Sequence, residues 1–198
     1  MLEKLIAFDK ELLLFLNGYH HPFLDFIFWY ATNAWTWLPV YFILIFLSIK
    51  LYRRQAIFIV LFAAICIACT DLASVNFFKE VFQRYRPTHN LEIREQVHIL
   101  HDYRGGLYGF VSSHAANFFG LATFLSVVFY RKVRHFIPLI FLWVGIIAYS
   151  RIYLGVHYPA DIFFGALLGI IIGLLIGFAF RLVSEKLLKR TAFFRLKN

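Results

Sequence analysis

Charged residues are scarce in this sequence of 198 residues, because aspartate, glutamate, lysine and arginine together make up only 16% of it. A soluble domain has about a quarter charged residues. Hydrophobic residues reach 61% and form runs near the length of about 20 residues that a helix needs to cross a bilayer. The composition therefore excludes an ordinary soluble domain and predicts an integral membrane protein.

The chain also lacks polar linkers, low-complexity tracts and repeats of about 20–50 residues. We therefore expect one membrane domain, 34–183, between an N-terminal segment, 1–33, and a basic cytoplasmic tail, 184–198. The N-terminus has neither a basic start nor a small-residue cleavage site, so we expect no cleavable signal peptide. Only two cysteines are present, Cys66 and Cys69, and we expect both to be small core residues without a metal or redox role.

The net charge of +9 is not arranged as a basic stripe, which argues against a nucleic-acid partner. Basic residues instead flank the apolar runs, where they fit both topogenic charge and attraction to anionic lipid. Segment 49–56 holds three, segment 130–136 holds three and the chain after residue 180 holds six, which are 12 of the 20. The positive-inside rule places these three segments in the cytoplasm.

Five apolar runs predict an all-α bundle of membrane-spanning helices, because backbone polar groups in lipid must be hydrogen-bonded within the helix. These runs are 34–49, 56–78, 113–130, 136–150 and 159–180. Residues 2–16 predict an amphipathic helix in the membrane interface, and the aromatic segment 23–32 predicts a second one. The alternative is that segment 23–32 belongs to a sixth span. With five spans, the N-terminus and the 87–112 loop lie outside, and His89, His98 and His101 are expected to be solvated there.

Three strings with charged or histidine residues lie at ends of the apolar runs. The first is Lys79-x6-Arg86-Pro87, whose two cations share a face if the helix continues through them. The second is Ser112-Ser113-His114, where serine is a natural N-cap and the free N–H groups of a helix start attract anions. Charges near a membrane core are costly and tend to mark function.

The third string is Ser150-Arg151-x5-His157-x3-Asp161, in which Pro159 fits the first turn of a helix. A carboxylate four residues after a histidine can hold one imidazole nitrogen and leave the other free as a nucleophile. A pair that only caps the helix start is the structural alternative for this string. Together the three strings predict a phosphate-binding pocket at the outer membrane face.

In this order the strings resemble the signature of the type 2 phosphatidic acid phosphatase family, which reads K-x6-RP, PSGH and SR-x5-H-x3-D. The first and third match at every defined position, while Val111 and Ser113 replace the family's proline and glycine. Glycine permits backbone conformations that serine disfavours, so the change at Ser113 matters only if the native conformation is not helical. The resemblance covers roughly residues 56–180.

The resemblance implies a hydrolase of phosphorylated lipids that needs no metal or other cofactor. His157 would attack phosphorus and form a phosphohistidine, Asp161 would orient His157, and His114 would protonate the leaving oxygen and then activate water. The phosphoryl oxygens would be held by the remaining signature residues, which are Lys79, Arg86, Ser112, Ser113 and Arg151. The implied location is the cytoplasmic membrane, with the site facing the periplasm or exterior.

The substrate is less well defined than the reaction. Undecaprenyl diphosphate, phosphatidylglycerol phosphate and phosphatidic acid rank first, and lipid A phosphates rank second. Phosphoryl transfer to another lipid and non-enzymatic lipid binding with a decayed site are the alternatives. The oligomeric state is open, since nothing in the sequence addresses it.

Two further patterns concern the interior of the bundle. Asp71 lies in the middle of a span, where it either braces the site or satisfies a buried polar contact. Glycines recur every four residues from Gly165 through Gly169 and Gly173 to Gly177. This small-residue stripe favours close helix packing within the chain over dimerisation.

Overall fold

The computed structural model describes residues 1–195, with side chains through Glu185. Eight α-helices follow one another, and within the described residues there is no strand. They are α1 Leu2–Gly18, α2 Pro22–Ala31, α3 Leu38–Tyr52, α4 Ala56–Ser74, the single turn α5 Glu80–Phe82, α6 Ser113–Phe129, α7 Phe136–Tyr153 and α8 Pro159–Arg195. The all-α prediction is confirmed. The expected tail, 184–198, falls within the end of α8 and beyond the described side chains.

Three helical stretches are long and apolar enough to cross a membrane. They are Ala34–Phe82, Phe136–Tyr153 and Pro159–Glu185. The first contains the pair α3 and α4, which are joined by a turn at Arg53–Gln55, while α6 is apolar but shorter. The chain is therefore a membrane protein, and the count of five spans stays a prediction.

The helices from α3 onward run alternately between two ends of the bundle. The turn after α3 meets the end of α6, because the Tyr52 hydroxyl donates to the Val128 carbonyl. Arg181 of α8 donates to the neighbouring Val127 carbonyl over 3.2 Å. Two of the basic segments, 49–56 and 130–136, therefore gather at one end of the bundle with the start of the third. We call this the basic end and the opposite one the site end.

The closest helix pair in the bundle is α6 with α8, and the glycine stripe makes it possible. A methyl group added to Gly169 would lie 2.3 Å from the Ala116 carbonyl oxygen, and one on Gly173 would lie 2.5 Å from that of Gly120. Small residues let helix backbones approach closely in membranes, where dispersion contacts and weak polar contacts hold helices together. The expectation that the stripe packs within the chain is confirmed.

The N-terminal helices cover the site end. Helix α1 buries one stripe of residues spaced four apart, Asp9, Leu13 and Asn17, while its opposite face exposes leucine and phenylalanine. The Asn17 amide donates to the Tyr153 carbonyl over 2.7 Å and accepts from the His98 backbone N–H over 2.7 Å. These bonds connect α1 to α7 and to the long loop between α5 and α6. The two predicted N-terminal helices are present, and their place in the membrane interface stays a prediction.

Three expectations about side chains hold only in part. Cys66 is buried, but Cys69 is exposed on α4, where a lipid-facing surface suits a small apolar side chain equally well. Asp71 is exposed, so it makes no buried contact, although its carboxylate accepts a hydrogen bond of 3.2 Å from Asn117. Of the loop histidines, His101 is exposed as expected, whereas His98 is half-buried and stacks on His20 with ring centres 3.9 Å apart.

The α6–α8 contact gives a test with a matched control. We expect Gly169→Ala to lower the free energy of unfolding by about 1–3 kcal/mol, because backbone atoms of α6 must move to accept the methyl group. Gly145→Ala on α7 meets no atom within 4 Å and should leave stability unchanged or slightly raised. Thermal unfolding of both purified variants in detergent measures this, and equal midpoints would contradict the tight α6–α8 packing.

Candidate functional site

His157 lies in the short loop between α7 and α8 and is buried. Arg86 donates from Nη1 to His157 Nε2 over 2.7 Å. Because a guanidinium has only donors, Nε2 must be the acceptor, and the ring proton is then on Nδ1. Nδ1 faces the Asp161 carboxylate at 3.4 Å. The ring is thus oriented with its lone pair toward a cation and its proton toward an anion.

Asp161 lies in the first turn of α8 and is fully buried. Its Oδ2 atom faces His157 and accepts the backbone N–H of Tyr158 over 3.0 Å. Its Oδ1 atom accepts from Arg84 Nη1 over 2.9 Å. A buried carboxylate needs such partners to remain charged. Both oxygens are therefore fixed, and the carboxylate can hold His157 in one orientation.

Arg84 and Asp9 complete this arrangement, and neither residue was predicted as a site residue from the sequence. Arg84 Nη2 donates to Asp9 Oδ2 over 2.7 Å, while Asp9 Oδ1 accepts the backbone N–H of Ala160 over 2.9 Å. The guanidinium also lies over the ring of Tyr158 at 3.9 Å. The spacing of Asp9, Leu13 and Asn17 by four residues could have indicated that Asp9 lies on the buried face of α1. Arg84 gave no such signal, because it falls at an undefined position of the first string.

Arg86 reaches His157 from a non-helical segment. The helix ends at Phe82, and Gln83 takes a left-handed conformation with φ of 45°. The expectation that Lys79 and Arg86 share a helical face is therefore wrong. Instead Arg86 is held by backbone pairing with residues 107–109, in which the Arg86 N–H donates to the Leu107 carbonyl over 3.1 Å and the Gly109 N–H donates to the Arg84 carbonyl over 2.8 Å.

The start of α6 lies beside the same residues. Ser112 caps the helix by accepting the Ala115 N–H over 3.3 Å, as expected, and its own N–H donates to the Asp161 carbonyl over 3.0 Å. Ser113 is helical, so serine costs little there. Its hydroxyl accepts from Lys79 Nζ over 2.5 Å. The first and second strings are therefore in direct contact, and the second is bonded to the third.

Arg151, at the end of α7, is buried beside the N-terminal helices. Its guanidinium donates to the hydroxyl of Thr32 and, over 3.1 Å, to that of Tyr103. Its Nε atom is buried and has no hydrogen-bond partner among the described residues. Thr32 and Tyr103 were not anticipated as site residues, and neither belongs to a recognisable string.

His114 borders two cavities, one lined mainly by apolar residues and one lined mainly by residues with polar side chains. The apolar cavity, of about 490 Å³, is lined mainly by α3, α4 and α6, with His114 and Asn117 among its few polar residues. The polar cavity, of about 250 Å³, is lined by His114, Arg151 and residues of α2, the turn after it and the long loop. One side chain thus faces both a hydrocarbon-like space and a polar one.

The electrostatics of the site favour a neutral imidazole and an anionic ligand. Burial lowers the pKa of His157 well below the ordinary 6.5, and the charges of Arg86, Arg151 and Lys79 lower it further. His157 is therefore unprotonated on Nε2 at neutral pH. Burial and repulsion by Arg151 lower the pKa of Arg86 to about 10, which leaves its guanidinium charged. Four cations, Lys79, Arg84, Arg86 and Arg151, face the two carboxylates of Asp9 and Asp161, which leaves a surplus of positive charge.

Comparison with known proteins places this chain among phosphatases. The family model described as the PAP2 superfamily matches residues 56–184. A lipid A 4'-phosphatase of Bacteroides thetaiotaomicron is 38% identical over 192 residues, covering 96% of this chain and 83% of the relative. One from Porphyromonas gingivalis is also 38% identical, over 175 residues, which cover 87% of this chain and 72% of the relative.

Two solved structures are similar as well. LpxE of Aquifex aeolicus has a TM-score of 0.59 at 30% identity, and the match covers 84% of this chain and 92% of the LpxE chain. A transmembrane PAP2-type phosphatidylglycerolphosphate phosphatase of Bacillus subtilis has a TM-score of 0.67 at 19% identity, covering 92% of this chain and 87% of its own, and it supports the fold alone.

The fold, the site and these matches define a membrane enzyme that hydrolyses phosphate from lipids. The chain belongs to the PAP2 superfamily. The resemblance drawn from the three strings is thereby confirmed.

Arg84 offers a test of the carboxylate arrangement. We expect Arg84→Gln to lower kcat by up to about a hundredfold with a smaller change in KM, because it releases Asp161 and misplaces His157 without touching the phosphate. Arg84→Lys should recover part of the loss. Arg94→Gln is the matched control, since Arg94 is exposed and pairs only with its neighbour Glu95. A loss confined to KM would show that Arg84 binds substrate directly.

Proposed function

We propose that this protein removes a phosphate group from lipid A through a covalent phosphohistidine on His157. The observation that carries the chemistry is the orientation of His157, with Nε2 free of a proton among three cations and Nδ1 against Asp161. The support for the lipid is the 38% identity to two lipid A 4'-phosphatases over most of the chain.

In the first step, Arg86 moves its hydrogen bond from His157 Nε2 to a phosphoryl oxygen. The freed Nε2 lone pair attacks phosphorus, and the bond between phosphorus and the lipid oxygen breaks. Lys79, Arg86 and Arg151 stabilise the charge that spreads over the phosphoryl oxygens, and the N–H of Ser113 at the start of α6 adds a donor. Lys79 exchanges its contact with the Ser113 hydroxyl for one with the phosphate.

His114 supplies the proton that the leaving lipid oxygen takes up. A bound phosphate would offset the positive charge of Lys79, Arg86 and Arg151, which repels a proton on His114. In the second step His114 accepts a proton from water, the water oxygen bonds to phosphorus and the bond to His157 Nε2 breaks. Inorganic phosphate is released, and neutral His157 is regenerated.

The apolar cavity supports a lipid substrate. It runs from the membrane interior, between Leu44 of α3 and Ile59 of α4, to His114 at the site end. Acyl chains placed there would bring the phosphate ester to His114 from the membrane interior. Apolar pockets with a few convergent polar groups are the usual form of ligand sites.

This proposal reverses the order of substrates drawn from the sequence, which placed undecaprenyl diphosphate and phosphatidyl lipids before lipid A. The family strings could not separate these lipids, because every member must hold the same phosphoryl group. The discrimination must come from residues that contact the leaving group.

Phosphate release by purified protein tests the proposal. We expect lipid A to be turned over with a higher kcat/KM than phosphatidic acid, phosphatidylglycerol phosphate or undecaprenyl diphosphate, with activity retained in excess chelator. His157→Ala should remove activity by several orders of magnitude without loss of folding, because it deletes the nucleophile. Higher kcat/KM for any of the other three lipids would reject lipid A as the substrate.

We also place the protein in the cytoplasmic membrane with its site end outward. The support is the clustering at the basic end of the cations in segments 49–56 and 130–136, which the positive-inside rule places in the cytoplasm. The substrate phosphate would then lie in the outer leaflet.

Thiol labelling in spheroplasts tests this orientation. In a background with both native cysteines replaced by alanine, a cysteine at the exposed Leu91 should react with a membrane-impermeant reagent, whereas one at the exposed Arg134 should not until the cells are lysed. Labelling at position 134 but not at 91 in intact spheroplasts would invert the topology.

A further inference from the structure

The polar cavity meets the site at His114 and Arg151. Of the residues in the catalytic arrangement, only His114 and Arg151 line it, whereas His157, Lys79 and Arg86 do not. In the proposed mechanism His114 faces the leaving oxygen, opposite the attacking Nε2 of His157. The polar cavity, of about 250 Å³, therefore lies on the side of the site where the leaving alcohol would sit.

The wall of this cavity combines an aromatic ring with hydrogen-bonding groups. Trp29 lines it, and its ring is held edge-on by His101 and Tyr103, with centre distances of 4.6 Å and 6.0 Å. A tryptophan fixed by neighbouring rings is a rigid, amphipathic contact surface. The apolar face of a sugar ring is suited to such a surface.

The hydroxyls of the wall have unused donors. Thr32 and Tyr103 each accept a hydrogen bond from Arg151, so the hydrogen atom of each hydroxyl is free to be donated. Neither hydroxyl donates to any group among the described residues. Asn33 uses its Oδ1 atom to cap Trp35 N–H over 3.0 Å, which leaves its amide N–H groups available. The buried Nε atom of Arg151 adds another donor.

From these observations we infer that the polar cavity is a subsite for the sugar ring that carries the scissile phosphate, with Trp29 as its platform. This inference rests on the proposed function, since the phosphate of lipid A is esterified to a sugar hydroxyl. The sugar hydroxyls accept from Thr32, Asn33 and Tyr103, while the acyl chains occupy the adjoining apolar cavity. The two cavities meet at His114, and that places an amphipathic glycolipid with its ester oxygen at the acid.

The subsite makes a prediction about specificity. Trp29→Ala should raise KM for lipid A and lower its kcat/KM by about tenfold more than that for p-nitrophenyl phosphate, which has no sugar. Trp29→Phe, which retains a ring, should keep most of the preference and covers the case in which the alanine variant does not fold. Trp35→Ala is the matched control, because Trp35 is exposed and lines neither cavity.

Each outcome decides the inference. An unchanged ratio of the two kcat/KM values in Trp29→Ala, or a loss confined to kcat, would overturn the sugar subsite. If the wild-type protein hydrolyses p-nitrophenyl phosphate but not lipid A, the proposed substrate fails and the subsite fails with it. If wild-type protein prefers lipid A while Trp29→Ala keeps that preference, only the subsite is wrong.

Discussion

The buried carboxylate of Asp161 is the anion on which the arrangement of the site depends. It receives the guanidinium of Arg84 on one oxygen and the Tyr158 N–H on the other, and it orients His157. Desolvating a charged group costs several kcal/mol, which only close partners offset. Because Arg84 also binds Asp9, the N-terminal helix is part of this compensation. The amphipathic start of the chain is therefore joined to the catalytic region by charge.

The remaining cations, Arg86, Arg151 and Lys79, have no anionic partner among the described residues and repel one another in a largely buried site. Their partners are neutral groups: the Val156 carbonyl and His157 for Arg86, two hydroxyls for Arg151, and Ser113 for Lys79. Neutral partners orient these cations without cancelling their charge. In the proposed function a phosphate dianion would supply the missing negative charge, so substrate binding would relieve this repulsion.

Much of this could be predicted from the sequence because the physical rules involved are local. Apolar run length indicated the helices, the glycine period of four indicated close packing of α8 within the chain, and the spacing of His157 and Asp161 indicated their pairing. The rest required tertiary information. Gln83 gave no sign of ending the helix before Arg86, and the contact between Asp9 and Arg84 spans 75 residues. Exposure of Cys69 was equally hidden, since lipid and core present the same apolar surroundings.

The glycine stripe fixes more than the contact between two helices. His157, the proposed nucleophile, precedes α8, and His114, the proposed acid, lies in the first turn of α6. The backbones of these helices touch along their length, and the Ser112 N–H donates to the Asp161 carbonyl. A slip of one helical turn would shift His114 relative to His157 by about 5.4 Å. The distance between the two histidines is thus set by the register of the α6–α8 contact inside the membrane. Loops at the basic end can change in length freely, whereas the register of small residues along α8 cannot.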